Sequence, residues 1–135
     1  MTDRETLFIY RMNEAEETLT DARKMLEGGI SARSVVNRAY YAMFYGVIAL
    51  LIHENIEHKT SKHSGIISIF DKSLVHTGRM GREYSRILHR IFDARQESDY
   101  KEFVRFTTED AAEYLRMAEE FLRGVKARIA GSKSN

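Results

Sequence analysis

The chain has 135 residues, a formal net charge of +1 and 43% hydrophobic residues. This length favours one domain, predicted over residues 1–130, with a frayed tail at 131–135. The chain has no cysteine, which excludes disulfides and thiol chemistry, and no proline, which favours long helices joined by short turns. Its N-terminus lacks a basic-then-apolar signal pattern, so we expect a cytoplasmic protein.

Two long helices are predicted first. One runs from about residue 3 to residue 27 and ends at Gly28-Gly29, and its apolar stripe comprises Leu7, Tyr10, Ala15, Leu19, Ala22 and Leu26. The other is predicted over Ser31–Asn55, with Ser31 as the N-cap. Its uncharged run, Ala39–Ile52, is shorter than the roughly 18 residues of a membrane helix. We therefore expect a central helix covered by other helices, and no membrane partner.

A line of polar residues follows one side of this central helix. Ser34, Arg38, Tyr41 and Tyr45 recur at spacings of four, three and four residues. Tyrosines in such places are usually core residues whose hydroxyl reaches an edge. A buried arginine, in contrast, needs an anionic partner, and Asp93, Asp99 or a bound phosphate could supply it for Arg38.

Three further helices complete the prediction. Residues 54–62 are a polar loop, and a helix over 62–76, capped by Thr60 or Ser61, ends at glycines. A strand through 66–70 is a weak alternative, because the chain offers it no partner strand. A helix from residue 82 to about 95 is followed by a turn near 98–106, and Thr107 with Asp110 forms a capping box for the last helix. The sum is an all-α, four- to five-helix up-and-down bundle.

The charge is segregated along the chain. Residues 28–95 hold ten bases and five acids, whereas residues 1–27 hold seven acids and four bases, and 96–123 hold eight acids and four bases. Within the basic part, the spacing of Arg79, Arg82, Arg86 and Arg90 predicts one basic ridge on a helix. Guanidinium groups match phosphate oxygens, so a phosphate partner is one interpretation. A solvated helix face, partly neutralised by Glu83, is the other.

Several kinds of catalytic site are not indicated. The five histidines lack the spacing of a zinc site, so we expect no metal, and we expect no other cofactor. The glycines are scattered, which excludes a glycine-rich phosphate loop, and no nucleophile elbow occurs. The sequence therefore does not predict a hydrolase of the serine or paired-carboxylate kind.

Three segments in order, SVVNRAYYAMFYGVIALL, KHSGII and ARQESDY, resemble the HEPN domain family (higher eukaryotes and prokaryotes nucleotide-binding). The likeness covers residues 5–128 and is greatest to small prokaryotic members. It implies an up-and-down helical bundle, frequently a homodimer, often encoded beside a minimal nucleotidyltransferase. Many members resemble ribonuclease toxins of toxin–antitoxin pairs.

The resemblance also implies a site. Catalytic members carry an R-x4–6-H motif, whose histidine acts on the ribose hydroxyl while the arginine steadies the phosphate. Here Arg95 is followed by Tyr100 at the place of the histidine, and a phenol with a pKa near 10 is a poor general base at neutral pH. Arg82 and His89 match the motif literally, but chance accounts for such a pair in a chain with fourteen arginines.

The candidate catalytic residues are accordingly Arg95 and Tyr100. The candidate phosphate- or nucleotide-binding residues are Asn37, Arg38, Tyr41, Lys62, His63, Arg82, Arg86, Arg90 and Asp99. One hypothesis is a toxin-type, ribonuclease-like protein that binds RNA or nucleotide and pairs with a nucleotidyltransferase antitoxin. The other is a non-catalytic dimeric interaction module in which Arg38, Asp99 and Tyr100 form a structural cluster.

Overall fold

The described part of the chain forms five α-helices. The computed structural model describes the backbone of residues 1–100 and 105–133, and the side chains of residues 1–97 and 105–131. The helices are α1 Asp3–Glu27, α2 Ala32–His53, α3 His63–Phe70, α4 Arg82–Tyr100 and α5 Thr108–Lys133, with a π-helical turn at Asp71–Val75. No strand occurs in the described ranges. The predicted all-α bundle of four to five helices is confirmed.

Side-chain caps begin two of the long helices where the sequence predicts them. Ser31 Oγ accepts a hydrogen bond from the Ser34 backbone N–H at the start of α2. At the start of α5, Thr107 Oγ1 accepts from Asp110 N at 3.0 Å, and Thr107 N donates to Asp110 Oδ2 at 2.9 Å. Each contact satisfies a backbone donor that the first helical turn leaves unpaired.

The region around α3 differs from the prediction in two ways. Its N-cap is Lys62, whose side chain makes no capping hydrogen bond. Thr60 Oγ1 accepts a hydrogen bond from the Lys62 backbone N–H at 3.1 Å, before the first helical residue. The proposed cap at Thr60 or Ser61 is therefore wrong. The single predicted helix over 62–76 also changes at Asp71 into a π-helical turn, which His76 N closes by donating to Asp71 O at 2.8 Å.

The end of α4 also lies later than predicted. The helix continues through residues 98–100, where a turn was expected, and ends at Tyr100. The rest of that predicted turn falls partly on residues 101–104, which lie outside the described part. The predicted frayed tail begins at residue 131, whereas α5 runs to Lys133, and residues 134–135 lie outside the described part.

The central helix α2 forms the core. Met43, Val47 and Leu50 are completely buried, and α1, α3, α4 and α5 all pack against α2. By length and composition α2 could cross a membrane, but 67% of its apolar window is buried inside the protein. It therefore fits the buried central helix that the uncharged run predicts.

The apolar stripe of α1 is only partly as predicted. Ala15, Leu19 and Ala22 are buried, but Leu7 is 47% exposed and Tyr10 is 59% exposed. Phe8 and Met12 pack against the core in their place. At about 100° per residue, Tyr10 falls on the opposite side of the helix from Ala15 and Leu19, which explains its exposure.

Candidate functional site

A half-buried arginine on the inner side of α4 is the centre of the site. Arg95 follows the buried Leu88 and Ile91 on one face of this helix. Its guanidinium carbon lies 5.0 Å from the centroid of the Tyr40 ring and 5.1 Å from that of Tyr41. Arg95 Nη2 also donates to the Tyr41 hydroxyl at 3.2 Å. Two neighbouring tyrosines of α2 therefore fix the position of the cation.

A histidine from α3 lies against the same two tyrosines. His63 Nδ1 is 2.7 Å from the Tyr40 hydroxyl, and the imidazole stacks on Phe44 with ring centroids 4.0 Å apart. The edge of the imidazole also faces the Tyr41 ring, with centroids 5.7 Å apart. His63 is the first residue of α3, so the polar loop 54–62 delivers it to this place.

Burial shifts the pKa of both hydrogen-bonded groups in the direction that favours the neutral form. It raises the pKa of the Tyr40 hydroxyl, and the nearby Arg95 offsets part of the rise. It lowers the pKa of His63, and Arg95 lowers that pKa further because two positive charges repel. At neutral pH the site therefore combines a fixed guanidinium with an uncharged imidazole that can accept a proton.

Arg38 extends this cluster on the α2 side. Its guanidinium carbon lies 5.0 Å from the Tyr41 ring centroid, and its Nη2 donates to Asn37 Oδ1 at 3.2 Å. Tyr41 thus contacts Arg38 and Arg95, and its ring centroid is 5.9 Å from that of Tyr45. The polar line along α2 leads from Arg38 into the Arg95 site.

The basic ridge lies elsewhere. Arg82 precedes Arg95 by 13 residues on α4, which is about 20 Å along the axis, and the ridge residues face away from Arg95. Arg90 pairs with Glu113 of α5 at 3.0 Å. Arg82 and Arg86 line a separate cavity of about 500 Å³ beside the π-helical turn. Their predicted role in phosphate binding therefore cannot be part of one site with Arg95.

His89, the second residue of the literal motif pair, contacts a carboxylate of the π-helical turn. His89 Nε2 lies 2.5 Å from Asp71 Oδ2, and Ser85 Oγ donates to the other oxygen of Asp71 at 2.7 Å. These bonds link α4 to the π-helical turn. The Asp71 carboxylate therefore holds the His89 imidazole in place.

The remaining predicted site residues lie at the edge of the Arg95 site or have side chains outside the described part. Lys62 is exposed and precedes His63 as the N-cap of α3. Asp99 and Tyr100 belong to the last turn of α4, but their side chains lie outside the described part, so their roles stay predictions. Among the described residues, no three His, Asp or Glu side chains converge in a way that could hold a metal ion.

The sequence interpretation missed Tyr40. It stands on the apolar seam of α2 and is completely buried, as a core residue would be. Its hydroxyl nevertheless pairs with a histidine 23 residues later. The available signal was that the NRAYYAMF and KHSGII segments both occur in the chain. Their presence does not by itself indicate that Tyr40 contacts His63.

Comparisons with known proteins give a consistent result. The sequence profile of the HEPN domain matches residues 10–128. A UPF0332 protein of Thermotoga maritima is 36% identical, and the match covers 98% of each chain. A protein of Methanocaldococcus jannaschii with the name "Putative toxin MJ0605" is 35% identical over 85% of this chain and 83% of its own length. The fold is similar to the crystal structure of an archaeal HEPN homologue, with a TM-score of 0.71, 22% identity and coverage of 96% of this chain and 99% of that one.

Proposed function

Because this chain belongs to the HEPN domain family, we propose that it is a toxin-type HEPN protein that binds RNA phosphate at Arg95 and cleaves the RNA with His63 as general base. The observation that carries the proposal is the neutral His63 beside the fixed guanidinium of Arg95, since both contact Tyr40 and Tyr41. Relatives named as toxins support the toxin role. Within the same proposal the protein is a cytoplasmic homodimer, and its antitoxin is a minimal nucleotidyltransferase.

Arg95 is suited to hold a phosphate of the RNA backbone. A guanidinium forms charge-assisted hydrogen bonds to phosphate oxygens, and its planar fork fixes their orientation. The Tyr40 and Tyr41 rings restrict the guanidinium plane before RNA arrives, which reduces the entropy lost on binding. Arg38, whose guanidinium also lies against the Tyr41 ring, adds positive charge for a neighbouring phosphate.

His63 supplies the group that the sequence motif lacks at Tyr100. A base of lowered pKa is unprotonated at neutral pH, and in the tautomer whose Nδ1–H donates to the Tyr40 hydroxyl, His63 Nε2 can take the proton from a ribose 2′-hydroxyl. The 2′ oxygen then bonds to the adjacent phosphorus while the bond from phosphorus to the 5′ oxygen breaks. The products are a 2′,3′-cyclic phosphate and a 5′-hydroxyl, whose proton comes from water, and His63 later returns its proton to solvent.

A matched pair of histidine variants tests this assignment. We expect His63→Gln to slow cleavage of a labelled single-stranded RNA by a factor of about 100 or more, which is the usual size of general-base catalysis. His76→Gln is the control, because His76 is exposed and lines the cavity of Arg82 and Arg86. Equal cleavage by the two variants, or products without cyclic phosphate ends, would contradict the role of His63.

The interaction module is the second candidate function. The observation that favours it is that Tyr40, Tyr41, Arg38 and Arg95 already contact one another inside the bundle, as a structural cluster would. An Arg38→Met protein that folds, dimerises and loses no RNA-dependent phenotype would favour this module. Growth arrest on expression of the wild-type chain alone would favour the toxin.

A further inference from the structure

A second cavity lies next to the Arg95 site. It has a volume of about 450 Å³ and opens between α1, α2 and the loop that leads to His63. Its apolar walls are the rings of Phe44 and Tyr45 with the side chains of Ile48 and Ile66, and Arg11 and His58 add polar groups. Flat rings with polar groups at their edges are the usual surroundings of an unpaired nucleic-acid base.

Two polar atoms of this lining lack a partner. Arg11 Nε and His58 Nδ1 are buried, and neither has a hydrogen-bond partner within the described part of the chain. Arg11 uses its Nη1 for Glu14 Oε1 at 2.8 Å, so its Nε–H remains to be satisfied. Buried polar groups are normally hydrogen-bonded, and both atoms belong to side chains of the lining, so a ligand with its own polar edge could supply their partners once these side chains rotate toward it.

Two rings of the cavity lining lie next to residues of the Arg95 site. Phe44 lines the cavity and also stacks on His63, with ring centroids 4.0 Å apart. Tyr45 lines it as well, and its ring lies 5.9 Å from that of Tyr41, which accepts the hydrogen bond from Arg95. The cavity and the Arg95 site are therefore neighbours, as the base and the phosphate of one nucleotide would require.

We propose that this cavity is the base-binding subsite of the protein, and that an unpaired RNA base enters it and stacks against the half-buried Tyr45 ring, while the nearly buried Phe44 lines the wall. When the Arg11 and His58 side chains rotate toward the base, Arg11 Nε donates to a carbonyl oxygen or ring nitrogen, and His58 Nδ1 bonds a second edge atom. This inference rests on the proposed function, because RNA is the ligand that joins a base to a phosphate. Lys59, also on the lining, adds positive charge near the entrance.

The test measures base and phosphate contributions separately. The four nucleoside 5′-monophosphates, their nucleosides and ribose 5-phosphate are titrated into the full-length protein by calorimetry or NMR. We expect at least one nucleotide to bind about tenfold or more tightly than ribose 5-phosphate. His58→Ala, and Ser61→Trp, which fills the opening, should reduce that nucleotide to the affinity of ribose 5-phosphate, while His76→Ala should leave it unchanged.

Different results identify which proposal fails. Equal binding of nucleotides and ribose 5-phosphate to the wild-type protein, or no binding of either, would overturn the base subsite. Unchanged nucleotide affinity in both His58→Ala and Ser61→Trp would do the same. If nucleosides bind and lose affinity in His58→Ala, but Arg95→Gln changes neither nucleotide nor RNA affinity, the base subsite stands and phosphate binding at Arg95 is wrong.

Discussion

Arg95→Met separates a binding role of the arginine from a structural one. The change removes two cation–π contacts, at 5.0 and 5.1 Å, and one hydrogen bond to Tyr41 at 3.2 Å. Such contacts contribute about 0.5–1 kcal/mol per ring and about 1.5 kcal/mol for the charged hydrogen bond, or roughly 3 kcal/mol together. The variant also avoids the desolvation of a half-buried guanidinium, and methionine still packs on both rings.

The expected net loss of stability is therefore small. We expect the free energy of unfolding to fall by about 1 kcal/mol, which corresponds to roughly 4 °C in Tm for a domain of this size. The RNA affinity should fall by about tenfold or more. The slope of log affinity against log salt concentration should become shallower by about the contribution of one phosphate contact. Circular dichroism measures the first quantity, and fluorescence anisotropy at several salt concentrations measures the second.

Arg90→Met is the matched control. Arg90 lies on the exposed side of the same helix, in an ion pair with Glu113 and with its guanidinium carbon 5.6 Å from the Tyr114 ring centroid; together these contacts contribute roughly 1 kcal/mol. The variant should therefore lower Tm about as much as Arg95→Met does, but leave RNA affinity nearly unchanged. The reasoning is refuted if Arg95→Met lowers Tm by more than about 10 °C while the folded variant binds RNA like the wild type. That result would make Arg95 a structural residue.

Two further predictions concern pH and packing. Because the folded state lowers the pKa of His63 below its usual 6.5, the unfolded chain binds more protons between the folded pKa and 6.5. Stability should rise with pH in that window, and urea titrations should show a smaller rise for His63→Gln; an identical rise would contradict the assignment. Gly124→Ala should cost about 1–3 kcal/mol in thermal unfolding, because a methyl group there would overlap the Tyr84 ring, whereas Gly131→Ala, with open space around it, should not destabilise. Equal effects of the two alanines would refute the packing argument.

Much of the fold could be predicted because its signals are local. The caps at Ser31 and Thr107 involve residues three positions apart, so their residue types are enough to identify them. The uncharged run of α2 likewise predicts burial on all sides, whatever the neighbours are. Tyr10 shows the limit of this approach, because its apolar side chain suggested a core position that its helical phase does not support.

The arginines of α4 show a signal that the sequence contained and the interpretation did not use. The predicted helix, from residue 82 to about 95, already reached Arg95, and helical phase alone places Arg95 opposite Arg82, Arg86 and Arg90. Burial of the Arg95 face then follows from Leu88 and Ile91 on the same side.

The sequence by itself determined the number and order of the helices, the central place of α2 and the family, because periodicity, caps and ordered motifs are local features of the chain, whereas the π-helical turn after α3 and the later end of α4 were not predicted. Only the tertiary structure decided which polar groups meet. Tyr40 and His63 are 23 residues apart, and Tyr41 and Arg95 are 54 apart. Their contacts depend on the path of the 54–62 loop and on how α3 and α4 pack against α2, and no local pattern specifies either.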